Sequence, residues 1–247
     1  MGIEHWSDLL FPNCTDFSSL MSRTLLLDLR SQLKRAADPG KASQMQKYMK
    51  SPMPYHGVPG PVLRQVFKEV FAGLSFSDAD SWRNAVLYIW RNARFREERY
   101  AAIALCEWKK AKAFQTLETL PTYEEMIVSG AWWDVVDVLA SHCVGSLLRC
   151  YPKPVGREML RWSRSDDMWK RRTSIICQLG FKENTDLKLM YACMEPSLGS
   201  KEFFLRKAIG WALRQYAWTS PDEVRRYVRA HEHELSPLSK REALKNI

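Results

Sequence analysis

No run of about 18 apolar residues, the length a helix needs to cross a bilayer, occurs in this chain, so no membrane-spanning segment is expected. Its start, Met1-Gly2-Ile3-Glu4-His5-Trp6, has neither a basic leader nor a long apolar stretch, so no secretory signal is read. Alternation of apolar and polar residues never lasts past four positions, which leaves no convincing strand. The six cysteines form no Cys-x-x-Cys pair and have no histidine at ligand spacing. They read as free thiols packed in or near helices in a reducing cytoplasm, Cys143 and Cys150 on one helix face included. His231 and His233 fall on different sides of a helix and read as a solvated helix end. Neither a metal site nor a cofactor is expected.

What is there is charge and tryptophan. The 247 residues carry a net charge of +9 and 10 Trp on an otherwise ordinary composition, 46% hydrophobic and 26% charged. Such a chain suits an anionic partner: nucleic acid first, with a membrane surface or an acidic protein as the alternatives. Residues 149–175 concentrate the charge, with eight basic and three acidic residues. Their alternation with Trp162 and Trp169 favours a face turned to nucleic acid over a merely solvated one.

Residues 1–16, broken by Pro12, Asn13 and Cys14, read as a loosely attached extension, and 17–247 as a single domain. Apolar residues at helical spacing predict helices from Asp16 to about Ala37, over 41–50, from Pro61 onward, from Asp80 to Ala93 and from Phe95 to Phe114. More follow over about 132–150, 154–164, 166–179, 185–195, 201–218, 221–233 and 237–247. The stretch Ser51–Pro61, with four prolines and two glycines, is the clearest loop. Thr122-Tyr123-Glu124-Glu125 reads as a capping box, and Ser220-Pro221-Asp222-Glu223 as a capped helix start. Tryptophan-bearing helices return at Trp90, Trp133, Trp169 and Trp211, spaced by 43, 36 and 42 residues. That interval matches the two-helix unit of a HEAT-like repeat. The expected fold is an all-α solenoid with a concave, basic inner face.

One stretch stands out, Gly130-Ala131-Trp132-Trp133-Asp134-Val135-Val136-Asp137. On a helix, Trp133 and Asp137 lie one turn apart on one face, an aromatic plane beside a carboxylate. Asp134 is read as lying on the other side, in a cap or a salt bridge. His142 is read as packing, and Trp90, Trp108, Trp162 and Trp169 as core or inter-repeat contacts.

Several segments together, in order and at similar intervals, resemble the AlkD-type DNA alkylation repair glycosylases. They are Tyr48-Met49-Lys50, the run Trp132–Asp137, Ser165-Asp166-Asp167-Met168-Trp169-Lys170-Arg171-Arg172, the long run Lys201–Ala217, and Leu238-Ser239-Lys240-Arg241-Glu242-Ala243. The resemblance covers roughly residues 20–247. It implies a HEAT-like repeat protein, expected to be monomeric and associated with a prokaryotic nucleoid, that removes cationic N3- and N7-alkylated purines from double-stranded DNA. The resemblance further implies a base that stays largely stacked, where most glycosylases extrude it. The catalytic carboxylate matches Asp137, the two tryptophans flanking the damaged nucleotide match Trp133 and Trp211, and an arginine contacting the DNA backbone matches Arg172. Lys47, Tyr48, Arg171, Arg206, Lys207, Arg214, Lys240 and Arg241 are the further residues expected on DNA. One departure is Gly57-Val58-Pro59-Gly60-Pro61, where the family often has Thr before the proline.

The chemistry accounts for these residue types. Losing a cationic base builds positive charge on the sugar, as in glycoside hydrolysis, and a nearby carboxylate stabilises that charge and orients water. Tryptophan faces attract a cationic nucleotide. Arginine and lysine hold phosphates. A non-catalytic HEAT-like module that binds damaged or branched DNA is the other reading, and it parts from the enzyme at Asp137.

Overall fold

The computed structural model describes residues 14–247, with side chains from residue 19 onward, so most of the expected extension lies outside the described residues. Every regular element among the described residues is helical. The chain divides after Phe114 into two compact units, where the sequence alone predicts one domain over 17–247.

The first unit holds α1 (Cys14–Arg35), α2 (Pro39–Met49), α3 (Gly60–Phe71), α4 (Ala79–Asn92) and α5 (Arg96–Cys106), followed by a 3-10 turn, Lys109–Phe114. Helix α3 shows why such segments are helices in this setting. Leu63, Val66, Phe67, Val70 and Phe71 recur at three- and four-residue steps and are all buried, so one stripe faces the core while the other faces water. Helix α1 packs on α3 and α4, and α4 on α5. The Ser51–Pro61 loop is a loop as expected, and one carboxylate organises it. Glu97, fully buried, accepts hydrogen bonds from the backbone N–H groups of His56 (3.0 Å), Gly57 (2.9 Å) and Val58 (3.2 Å).

In the second unit a 3-10 turn, Leu117–Thr119, leads into α6 (Leu120–Gly130) and α7 (Trp133–Val138). A π-helical segment, Leu139–Val144, continues α7 without a break into α8 (Gly145–Cys150). Then come α9 (Pro152–Trp162), α10 (Met168–Ile176), α11 (Leu187–Met194), α12 (Phe203–Ala217), α13 (Pro221–Ala230) and α14 (Pro237–Ala243). Helix α10 is central, touching α6, α7, α9, α11 and α12, and α12 packs in turn on α13 and α14. Helices stacking on near neighbours in the chain are the order of an α-solenoid.

Of the two cap predictions, the first differs from the structure, and the second holds in position, with Ser220 before Pro221 at the start of α13, but not in the hydrogen bond. Helix α6 starts at Leu120, so Thr122 is a buried residue inside it. Pro121, whose missing N–H costs nothing in a first turn, moves the start upstream. Ser220 does precede α13 but makes no side-chain cap, and Glu223 turns instead to Tyr191 and Arg226. The reciprocal capping box sits elsewhere, between Asp78 and Ser81 at the start of α4. Of the five described cysteines, all free, Cys150 alone is exposed.

Candidate active site

The stretch Gly130–Asp137 is not one helix. Helix α6 ends at Gly130, and Ala131 turns the chain with a left-handed backbone (φ 41°). Trp132 follows in extended conformation as the residue preceding α7. A non-glycine residue in that region costs about 1 kcal/mol or more, and such strain is often found at functional sites. The turn makes Trp133 the first residue of α7, with Asp137 one turn on and both half-buried.

Asp137 does not stand alone. The Arg172 guanidinium from α10 donates to it through two atoms, Nε to Oδ1 at 2.7 Å and Nη2 to Oδ2 at 2.8 Å. This parallel pair is the strong, geometrically specific form of a charged contact. The third guanidinium nitrogen, Nη1, donates to the Phe204 carbonyl in α12 at 2.6 Å. The Arg172 side chain is 4% exposed and that of Asp137 16%, so the carboxylate is the member of the pair that solvent or a ligand can reach. Burial pushes the Asp137 carboxyl above its ordinary value; the Arg172 bonds and charge pull it back, and Asp134 adds a further upward push. Asp134 is therefore not across the helix from Asp137. Three residues apart, the two are neighbours on one side, as helical spacing requires.

The same two helical rods also come close at their backbones. A Cβ on Gly145 would lie 2.5 Å from the Cys177 carbonyl oxygen, so only glycine lets the rod that continues α7 come this near to the end of α10. The π-helical segment begins two residues after Asp137, and segments of this kind recur at functional sites. His142 within it is exposed, not packed inside as expected: the buried stripe runs through Leu139, Ala140, Cys143 and Val144, and His142 falls off it.

Three aromatic rings cluster beside Arg172. Phe204 lies 4.9 Å from Trp169 and 5.4 Å, edge-on, from Trp132, and those two lie 6.2 Å apart. Trp211, half-buried, is seven residues beyond Phe204, and hence about two turns along the same side of α12. The structure thus gathers the helices that carry Trp133 and Asp137, Arg172, and Trp211. Trp169 is buried as expected. The part played by Phe204 has no signal in the sequence beyond the Phe203-Phe204 doublet.

The residues expected on DNA divide. Arg172 is the clearest difference: expected on a phosphate, it is buried and held by Asp137 and Phe204. Arg171 bonds Ser197 Oγ and the Pro196 carbonyl. Lys207 and Arg214 both pair with the buried Glu242, at 2.8 and 2.6 Å. Arg206 is half-buried and Lys240 donates to the Glu232 carbonyl. Arg241 is exposed, as are Lys47 and Tyr48 in the first unit. Within 149–175, Lys153, Arg157 and Arg164 are exposed, while Lys170 pairs with Glu124 and Arg161 with Glu158.

Among the described residues no helix is long and apolar enough to cross a membrane. Comparison with curated proteins returns no match. A solved structure described as "Predicted DNA alkylation repair enzyme from Enterococcus faecalis" is similar, with a TM-score of 0.74 and 28% sequence identity over 85% of this chain and 96% of that one. The family model for DNA alkylation repair enzymes matches residues 29–247, a span that includes Asp137, Arg172 and Trp211. The chain belongs to the family of DNA alkylation repair enzymes.

Proposed function

We propose that this member of the family is a DNA glycosylase that hydrolyses the N-glycosidic bond of cationic N3- and N7-alkylated purines in duplex DNA, without extruding the base. The observation that carries the reading is the Asp137–Arg172 pair, a carboxylate held through both oxygens by a buried arginine and itself still in part exposed. The C1′–N bond breaks with its electron pair leaving on the purine, which departs neutral. Positive charge builds on the sugar, and the negative Asp137 stabilises it. Water then adds to C1′ and gives up a proton. Burial strengthens the basicity of Asp137, which suits it to take that proton.

In this reading Arg172 positions Asp137 and does not grip a phosphate. Trp133 and Trp211 flank the cationic nucleotide, each contributing about 0.5–2 kcal/mol by cation–π attraction. Exposed cations such as Lys47 and Arg241 supply contacts to the DNA backbone. A cationic base needs no general acid to leave, so neutral lesions such as uracil should be poor substrates.

The test is single-turnover excision from a duplex with one 7-methylguanine, read by cleavage of the abasic site, with a uracil duplex beside it. Asp137→Asn should lower the rate by about a hundredfold or more, the scale of losing one such charge, while duplex binding survives. Full activity in Asp137→Asn would refute the assignment. No excision by the wild-type protein would leave the non-catalytic DNA-binding module standing.

A further inference from the structure

We infer that Phe204 is the positioning residue of this site: its carbonyl and its ring together fix the Arg172 guanidinium, and through it the direction in which the Asp137 carboxylate points. The inference rests on the reading of Asp137 as the acting carboxylate. Two of the three guanidinium nitrogens are committed to Asp137, and a bidentate pair anchored only to itself could swing as a unit. The third nitrogen stops that swing by its 2.6 Å bond to the Phe204 carbonyl. The Arg172 Cζ also lies 5.8 Å from the centre of the Phe204 ring.

What holds the carbonyl in place is the ring. Phe204 is the second residue of α12, and Glu202 before that helix provides no side-chain cap. An uncapped first turn is prone to fray. Here it is pinned by packing instead. The Phe204 ring meets Trp169, three residues before Arg172 on α10, and Trp132, which immediately precedes α7, the helix that carries Asp137. One side chain therefore touches the helix of the arginine and the start of the helix of the carboxylate, while its own backbone bonds the guanidinium. The charged groups acting on Asp137 are Arg172 from α10 and Asp134 from its own helix. α12 contributes to the pair through the Phe204 carbonyl and ring.

The test compares the wild type with Phe204→Leu, which keeps apolar bulk but loses the ring, and Phe204→Tyr, which keeps the ring. Two readouts are taken on the full chain: the titration of the Asp137 carboxyl by carbon-13 NMR, assigned with Asp137→Asn, and single-turnover excision of 7-methylguanine with duplex affinity measured alongside. In Phe204→Leu the Asp137 carboxyl should titrate at higher pH than in the wild type, because a loosened Arg172 no longer offsets burial. Excision should fall by about tenfold or more with duplex affinity within about twofold, the mark of a misplaced group and not of lost binding. Phe204→Tyr should restore both. Should Phe204→Leu fail to fold, Phe204→Met is judged by the same two readouts. An unchanged Asp137 titration in a folded ring-less variant overturns the inference, as does a loss that Phe204→Tyr shares. If the wild type excises nothing, the glycosylase reading falls, and the titration alone decides whether Phe204 positions the pair.

Discussion

Replacing Arg172 with methionine perturbs the site at its centre, and the structure sets the scale. The variant keeps an unbranched side chain of similar reach but deletes three hydrogen bonds, two to Asp137 and one to the Phe204 carbonyl. Breaking a buried ion pair by removing one partner costs about 3–5 kcal/mol, chiefly because the other charge is left without compensation. Asp137 keeps 16% of its side chain exposed and can recruit water, which argues for the lower end, about 3 kcal/mol. For a chain of this size each kcal/mol lowers the melting temperature by about 2–4 °C, so the expected drop at pH 7 is about 6–12 °C. The pH dependence carries a sign. The Asp137 carboxyl already titrates above its ordinary value of 3.8 when folded, so the native state holds that proton more tightly than the unfolded chain. Its ionisation therefore subtracts stability as pH rises through that window. Without Arg172, burial and Asp134 act unopposed, the native value climbs further and the penalty grows. The gap between variant and wild type should be smallest below pH 3.8, where the carboxyl is protonated in both states, and should widen toward neutrality. Thermal unfolding from acid to neutral pH, on wild type, Arg172→Met, Asp137→Asn and the double variant, measures both effects. The cycle should show a coupling of about 1–3 kcal/mol, as residues in direct contact do. A gap that does not change with pH, or single effects that simply add, would refute the pairing.

Two further outcomes follow from packing. Gly210→Ala should destabilise the protein by about 1–3 kcal/mol in chemical denaturation, because the new Cβ would lie 2.5 Å from Glu242 Cβ and 2.9 Å from the Ser239 carbonyl, forcing α14 off α12. An unaffected unfolding midpoint would show that the two helices have slack. Glu97→Ala should cost about 3 kcal/mol or more by stranding two buried N–H groups and one partly buried one, whereas Glu97→Gln, which retains one acceptor oxygen, should cost less. Amide exchange at His56, Gly57 and Val58 should accelerate in the alanine variant, and unchanged protection there would count against Glu97 as the organiser of the loop.

The sequence by itself determined the helices and the placing of Trp133 and Asp137 one turn apart, because both rest on local periodicity. The recurrence of Leu63, Val66, Phe67, Val70 and Phe71 marks a buried stripe without reference to the rest of the chain, and the four-residue step from Trp133 to Asp137 places both on one face. Details set within a turn or two were less legible. The break at Ala131, the π-helical segment after Val138 and the absent cap at Ser220 depend on which of several near-equal backbone choices tertiary packing selects. The state of Asp137 was decided by the tertiary structure alone. Arg172 lies 35 residues away and Phe204 a further 32, and no spacing rule links them. The resemblance assigns Arg172 to the DNA backbone, and nothing in its place among lysines and arginines says otherwise. Folding withdraws it from solvent, and once desolvated it is held in place by the nearest carboxylate and carbonyl, since a buried charge left unpaired costs several kcal/mol.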